Sequence, residues 1–126
     1  MLFRSKYLQG PLTNAGSVYW SGAGDLYVYA SYGYPGRIEN QTGALFEAQN
    51  GASMSDPWGY VTPTFNNEGT FRKSGGTGQT TLRMVFDNAG LVDVESGTLA
   101  FTSSGLIGGQ FYAAGGTTVL DRKSVV

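Results

Sequence analysis

The sequence predicts an all-β solenoid, and three observations support this prediction. A repeat of 21–27 residues that is built around an asparagine recurs along the 126-residue chain. There are 20 glycines, and they leave no stretch of helical periodicity long enough for an ordinary helix. The segments between glycines alternate apolar and polar side chains, as half-buried strands do. A repeat of this length suits one coil of a solenoid, whose stacked rungs share a core that no single rung can bury.

Each repeat opens with an apolar residue, any residue and an asparagine, and a glycine follows two or three positions later. The asparagines are Asn14, Asn40, Asn67 and Asn88, which are 26, 27 and 21 residues apart. An asparagine amide can bond the backbone of a turn, and rungs about 4.8 Å apart also allow each amide to bond the next. We therefore expect a structural ladder at one corner of the solenoid.

The elements of each rung follow from these openings, giving about four to five rungs. Residues 6–11 form the tail of a preceding rung or a linker. The predicted strands are 17–20 and 25–30 in the first rung, 44–48 and 52–55 in the second, and 70–74 and 79–85 in the third. The fourth rung spans 86–101, and the fifth begins near 108 and is cut off near 120. Two prolines within 56–63 predict a loop that leaves the coil.

Alternation within the strands predicts which side chains stack from rung to rung. The predicted inward column contains Val18, Leu45, Phe71 and Val92, and the next, outward column contains Tyr19, Phe46, Arg72 and Asp93. The extra residue before Gly43 leaves an alternative open, in which Phe46 and Ala48 point inward. The 21-residue repeat further predicts Phe65 over Phe86, Phe71 over Val92, and Leu82 over Leu99 or Phe101.

Charged residues in these columns give two further expectations. Arg72 and Asp93 should form an exposed ion pair across neighbouring rungs, worth about 0.2–1 kcal/mol. Lys73 does not fit the inward column at its position, and only a strand that has already turned outward would account for it.

Composition restricts the chemistry open to the chain. There is no cysteine and no histidine, which excludes disulfides and removes the commonest general base and metal ligand. The net charge of −1 argues against binding a nucleic-acid backbone. No run of about 20 apolar residues could cross a membrane as a helix. We expect no metal and no cofactor.

The best pair of carboxylates is Asp93 and Glu95, two residues apart on one strand. Their expected separation of about 6–7 Å is at the edge of the range that glycoside hydrolysis uses. Together with Arg72 and Lys73 they could form a cluster of the kind that cuts acidic polysaccharides. A solvated strand face is the favoured interpretation, because nothing in the sequence buries or perturbs either carboxylate. We therefore expect no catalytic residue.

Aromatic side chains are concentrated before residue 61. The candidate ligand-stacking residues are Tyr27, Tyr29, Trp58 and Tyr60, within a wider set that also includes Tyr19, Tyr32 and Tyr34. Exposed tyrosine and tryptophan rings can stack on sugar rings or anchor a protein partner. The alternative is that loops fold over these rings and bury them.

Both ends of the chain depart from the repeat. Residues 1–5 and 121–126 resemble translated sequencing adaptors, and we expect them to be foreign to the protein. The predicted solenoid domain is then 6–120, an internal piece of a longer protein that is truncated at both ends. We expect its open strand edges to promote association.

The third and fourth repeats carry a resemblance to a known class of protein. The runs Phe65–Gly78 and Phe86–Leu99 resemble the β-strand repeats of large secreted bacterial proteins of the adhesin and autotransporter-passenger type. The resemblance covers about Leu12–Leu120. It implies a right-handed parallel β-helix with a non-enzymatic structural or adhesive role, located outside the cell or on its surface.

The resemblance also implies the kind of partner. Glycans or cell-surface proteins are expected, besides the neighbouring rungs of the same longer chain, with no nucleic acid and no membrane contact. Two alternatives stay open. One is a carbohydrate-binding surface made by the exposed tyrosines and tryptophan, and the other is a non-catalytic part of a polysaccharide-acting β-helix enzyme.

Overall fold

The computed structural model describes residues 5–30, 33, 36–59, 61–121 and 124–125. These residues form strands and turns and contain no helix. The strands are β1 (Lys6–Leu8), β2 (Leu12–Asn14), β3 (Ser17–Trp20), β4 (Leu26–Val28), β5 (Arg37–Asn40), β6 (Leu45–Ala48), β7 (Ser53–Ser55), β8 (Thr64–Asn67) and β9 (Thr70–Lys73). They continue with β10 (Gln79–Arg83), β11 (Val85–Asn88), β12 (Leu91–Val94), β13 (Thr98–Phe101), β14 (Gly105–Leu106), β15 (Gln110–Ala113), β16 (Thr118–Asp121) and β17 (Ser124–Val125).

The strands pair in parallel into three long sheets and one short one. Sheet A has the order β1-β4-β7-β10-β13-β16, sheet B β11-β8-β5-β2, and sheet C β15-β12-β9-β6-β3, while β14 pairs with β17. Each of the four complete rungs contributes one strand to each long sheet, and sheet neighbours come from successive rungs. The chain is therefore a parallel β-helix with four complete rungs and a fifth, as the repeat predicted.

Sheet B is an element that the sequence analysis missed. The openings that carry the asparagines are themselves strands, so each rung has three strands where the sequence suggested two. These strands are only three or four residues long, and alternation cannot be recognised over so few positions. Their apolar residues, such as Ile38 and Phe65, point into the core and are fully buried.

Stacked aromatic rings fill the core. Phe65 lies over Phe86 with ring centroids 5.0 Å apart, and Phe46 lies over Phe71 at 5.7 Å with nearly parallel rings. The predicted pairings of Phe65 with Phe86, Phe71 with Val92 and Leu82 with Phe101 are all present in the strand register. Each buried ring extends the column beneath it, so burial that one rung cannot achieve alone is completed by its neighbours.

The register of the second rung differs from the first expectation. Phe46, not Leu45, pairs with Val18 and Phe71, and Phe46 and Ala48 are fully buried. The prediction that Leu45 points inward is therefore wrong, and the alternative placement of Phe46 and Ala48 is confirmed. The cause is the extra residue in the turn before Gly43, which moves the following strand by one position and so exchanges its faces.

The segments at the two ends continue the sheets. Strand β1 pairs with β4, which makes residues 6–8 the tail of a preceding rung and not a linker. At the other end, β16 pairs with β13 and β17 with β14. The described residues contain no helix of the length and hydrophobicity that a membrane crossing requires.

Candidate functional site

The predicted asparagine ladder lies at the corner between sheets B and C, which we call the amide corner. Asn14, Asn40 and Asn67 each donate their side-chain amide to the side-chain oxygen of the next asparagine at 2.8 Å. Each also donates to a backbone carbonyl of the next rung, at 2.8–3.0 Å. The amide corner is thus a buried structural device, since all four asparagines are at most 5% exposed.

The ladder ends at Asn88. No asparagine follows in the next rung, where Ile107 forms the bridge to Asn88. The Asn88 amide donates instead to the carbonyls of Gly90 and Gln110, at 3.4 and 3.3 Å. These bonds are longer than those of the other three rungs, so the amide corner is weakest at this end.

Charged side chains on the outer face of sheet C form an ion cluster around Arg72. The Arg72 guanidinium lies 3.0 Å from Asp93, 3.5 Å from Glu47 and 3.6 Å from Glu95. The predicted pairing of Arg72 with Asp93 is confirmed, but the expectation that it is exposed is wrong, because Asp93 is only 7% exposed. Side chains of the neighbouring rungs cover the short Asp93 carboxylate. This burial cannot be recognised from the sequence of a single strand.

The charges of this ion cluster pair with one another. The hydrogen bond to Asp93, with the nearby carboxylates, raises the pKa of Arg72 above its ordinary value. The Gln49 side chain donates to Glu47 and lowers the pKa of that carboxyl. Arg72 therefore holds the carboxylates that the sequence singled out as a pair. Among the described residues, no group of three or more acidic side chains is arranged to hold a metal ion.

Lys73 lies at the corner between sheets C and A, which we call the lysine corner. Lys73, which the sequence could not place, lies in the inward column between Ala48 and Val94 and is fully buried, so its strand has not turned outward. Its ammonium nitrogen donates to the carbonyls of Asn50 and Gly75 at 2.8 and 3.0 Å. Desolvation lowers the pKa of Lys73. The two carbonyls explain why a lysine is tolerated in the core.

Three of the four candidate ligand-stacking residues lie on the outer side of sheet A, where they take part in two ring pairs. The ring centroids of Tyr29 and Trp58 are 6.1 Å apart, and those of Tyr27 and Tyr7 are 5.2 Å apart. Tyr7 was not predicted, because it lies in the segment interpreted as a tail or linker. Tyr60, like Tyr32 and Tyr34, lies outside the described residues. We call Tyr7, Tyr27, Tyr29 and Trp58 the aromatic patch.

The aromatic patch combines supported rings with exposed ones. Tyr27 and Tyr29 are half-buried on strand β4 and the residue after it, whereas Tyr7 and Trp58 are 59% and 58% exposed. Trp58 belongs to the predicted loop that leaves the coil after β7. The alternative that loops fold over the predicted rings and bury them is therefore wrong for Trp58. Tyr19, also 59% exposed, lies apart from them on sheet C.

Comparison with protein-family models, with curated proteins and with solved structures finds no match to this chain. The geometry of the chain and the repeat that its sequence carries are therefore the basis for inferring its function.

Proposed function

We propose that this β-helix is a non-enzymatic structural and adhesive segment of a secreted or cell-surface bacterial protein. The rungs supply a rigid support, and the aromatic patch supplies the adhesive surface. Glycans or proteins on a neighbouring surface are the proposed partners. Extracellular location is part of the same proposal and is supported by the resemblance of the repeats to secreted adhesin-like proteins.

The observation that carries the adhesive role is the exposure of Tyr7 and Trp58 beside supporting rings. Large apolar rings are normally covered, and an exposed cluster of them favours a binding surface. Tyrosine and tryptophan suit such a surface because each offers a flat apolar face and a polar group. The ring contacts to Tyr27 and Tyr29 restrict the exposed rings before a partner arrives, which lowers the entropic cost of binding.

Adhesion of beads that carry the protein tests this proposal. We expect the beads to adhere to glycan-coated or cell-coated surfaces, and a double variant Tyr7→Ala with Trp58→Ala to lose most of this adhesion. The matched control is Tyr19→Ala with Tyr112→Ala, since both of these tyrosines are 59% exposed but lie on sheet C. Equal adhesion by the two double variants would contradict the proposed role of the aromatic patch.

A carbohydrate-binding surface within a larger protein is a second candidate, and the same aromatic patch favours it. A soluble glycan should then compete with bead adhesion. A partner protein would leave adhesion insensitive to glycans and sensitive to protease treatment of the coated surface. This comparison separates the two kinds of partner without assuming which one is present.

A further inference from the structure

The outer face of sheet A carries a column with one side chain per rung. Tyr7 pairs with Tyr27, Tyr27 with Ser55, and Ser55 with Arg83 in the strand register. We call these four residues the outer column. Successive members are one rung apart, about 4.8 Å. The column therefore runs along the axis of the solenoid, with two aromatic rings first, then a hydroxyl group, then a guanidinium group.

Arg83 is the member without an internal role. Its side chain is exposed, and it makes no hydrogen bond or ion pair with any residue that the structure describes. The other two arginines that the structure describes on sheet faces are occupied, because Arg37 pairs with Glu39 and Arg72 with three carboxylates. An unpaired guanidinium at the end of a regular column is available to an anionic ligand.

The loop after Ser55 lies beside this column. Trp58, in this loop, contacts Tyr29, which is two residues beyond Tyr27 on the same face of the chain. The backbone nitrogen of Trp58 donates to the carboxylate of Asp56, the residue that follows Ser55, so this carboxylate is engaged by its own loop. Aromatic rings thus border the first half of the outer column, and Arg83 is two rungs from Tyr27.

We propose that the outer column binds an anionic, extended glycan that lies along the solenoid axis, with a uronate carboxylate at Arg83. This inference rests on the proposed adhesive function. It adds the class of ligand, the orientation of the glycan along the solenoid and the residue that binds its carboxylate. Extended β-1,4-linked glycans repeat their rings at an interval close to the rung spacing. Such a chain would run along the exposed side of the Tyr7–Tyr27 ring pair and continue past the Ser55 hydroxyl to Arg83.

The chemistry of the column fits this ligand better than a neutral one. Tyrosine faces stack on the apolar C–H faces of sugar rings, and this contact tolerates many sugars. Arg83 selects among them, because a guanidinium binds a carboxylate through two parallel N–H···O bonds. A neutral glycan would keep the stacking contacts but could not form this charge-assisted pair.

Binding of two tetrasaccharides tests the inference. The probes are a β-1,4-linked mannuronate tetramer and cellotetraose, which share the linkage and differ in charge, and the readout is calorimetry at low salt. We expect the wild-type protein to prefer the mannuronate tetramer. Arg83→Gln should weaken mannuronate binding about tenfold and leave cellotetraose binding unchanged, since one charge-assisted contact is lost. Tyr7→Ala should weaken the binding of both probes.

Arg37→Gln is the matched control, because it removes an equal charge from an exposed strand position on sheet B. Its mannuronate affinity should equal that of the wild-type protein, and melting curves should show that Arg83→Gln is as well folded.

Equal loss of mannuronate affinity in the two arginine variants, or equal wild-type affinity for the two probes, would overturn the role of Arg83. Patch-dependent bead adhesion without mannuronate binding would overturn the inference and leave the adhesive function standing. Mannuronate binding that depends on Arg83, without bead adhesion, would support the inference and overturn the adhesive function.

Discussion

The amide corner and the lysine corner both close a turn of the same rungs with buried polar side chains, but their chemistry differs. At the amide corner each asparagine both donates and accepts, so one residue type repeats through four rungs. At the lysine corner one ammonium group donates to two carbonyls in a single place. The Thr80 hydroxyl also donates to the Asn50 carbonyl at 2.5 Å, while the Asn50 side-chain nitrogen has no hydrogen-bond partner among the described residues.

The difference shows what a repeated structure requires of a buried polar group. A neutral amide loses little when it is buried with its partners, and it can bond another copy of itself. An ammonium group loses much of its hydration and can only donate, so it cannot stack on another lysine. The amide corner therefore keeps successive rungs in register, whereas the lysine corner joins two neighbouring turns.

The largest effect is expected for Asn67→Leu, in the middle of the amide corner. Asn67 bonds Asn88 and the Leu91 carbonyl and accepts from Asn40. The substitution leaves buried polar groups without partners and should lower the free energy of unfolding by about 3 kcal/mol. Urea unfolding measures this change.

Asn66→Ala is the control, because the Asn66 side chain faces outward toward Glu39. This substitution should lower the free energy of unfolding by less than about 1 kcal/mol. A loss equal to that of Asn67→Leu would contradict the role of the ladder.

A smaller loss is expected for Asn88→Leu, at the end of the ladder. Its amide makes only the two longer bonds to Gly90 and Gln110, although its oxygen accepts from Asn67. We expect a cost of about 1–3 kcal/mol, below that of Asn67→Leu in the same urea series. If Asn88→Leu proved the more damaging change, position within the ladder would not determine the strength of the amide corner.

The lysine corner should tolerate substitution better. Lys73→Met keeps an unbranched side chain of similar length in the core column and removes the desolvated ammonium. Two carbonyls lose a donor, but the Asn50 carbonyl keeps the bond from Thr80. Because these terms oppose each other, the free energy of unfolding should change by about 1 kcal/mol or less. A loss as large as that of Asn67→Leu would show that the lysine corner also holds the fold together.

The smallest expected effect is the contribution of Lys73 to the pH dependence of the unfolding free energy. Its folded-state pKa lies below 10.5, so between the two pKa values the unfolded chain binds more protons than the folded chain. Stability from this group therefore rises with pH through that window and is constant on either side. The difference in unfolding free energy between wild type and Lys73→Met should grow in favour of the wild-type protein as the pH approaches 10.5. A difference that shrinks over this range would contradict a buried, desolvated lysine.

The register of single rungs could not be predicted from the spacing of the asparagines, which are 26, 27 and 21 residues apart. The additional residues of the longer rungs lie in turns and loops, and the sequence does not show how these place the following strand. The extra residue before Gly43 placed Phe46 inside instead of Leu45. The excursion after Ser55 likewise hides the alignment of Ser55 with Arg83. The aromatic patch was predicted in part: Tyr27, Tyr29 and Trp58 were recognised by composition, whereas Tyr7 joins them only through the pairing of β1 with β4.

The sequence by itself determined the β-solenoid, the asparagine ladder and the stacking of Phe65 on Phe86. These features depend on alternation within strands and on the spacing of the recurring asparagines, which comparison of the repeats along the sequence reveals. Only the tertiary structure decided that Lys73 is inside, that Asp93 is covered and that Arg83 has no partner among the described residues. Each of these outcomes depends on which residues of neighbouring rungs lie side by side. That alignment is set by how the turns absorb their extra residues and by the burial that the stacked rungs achieve together.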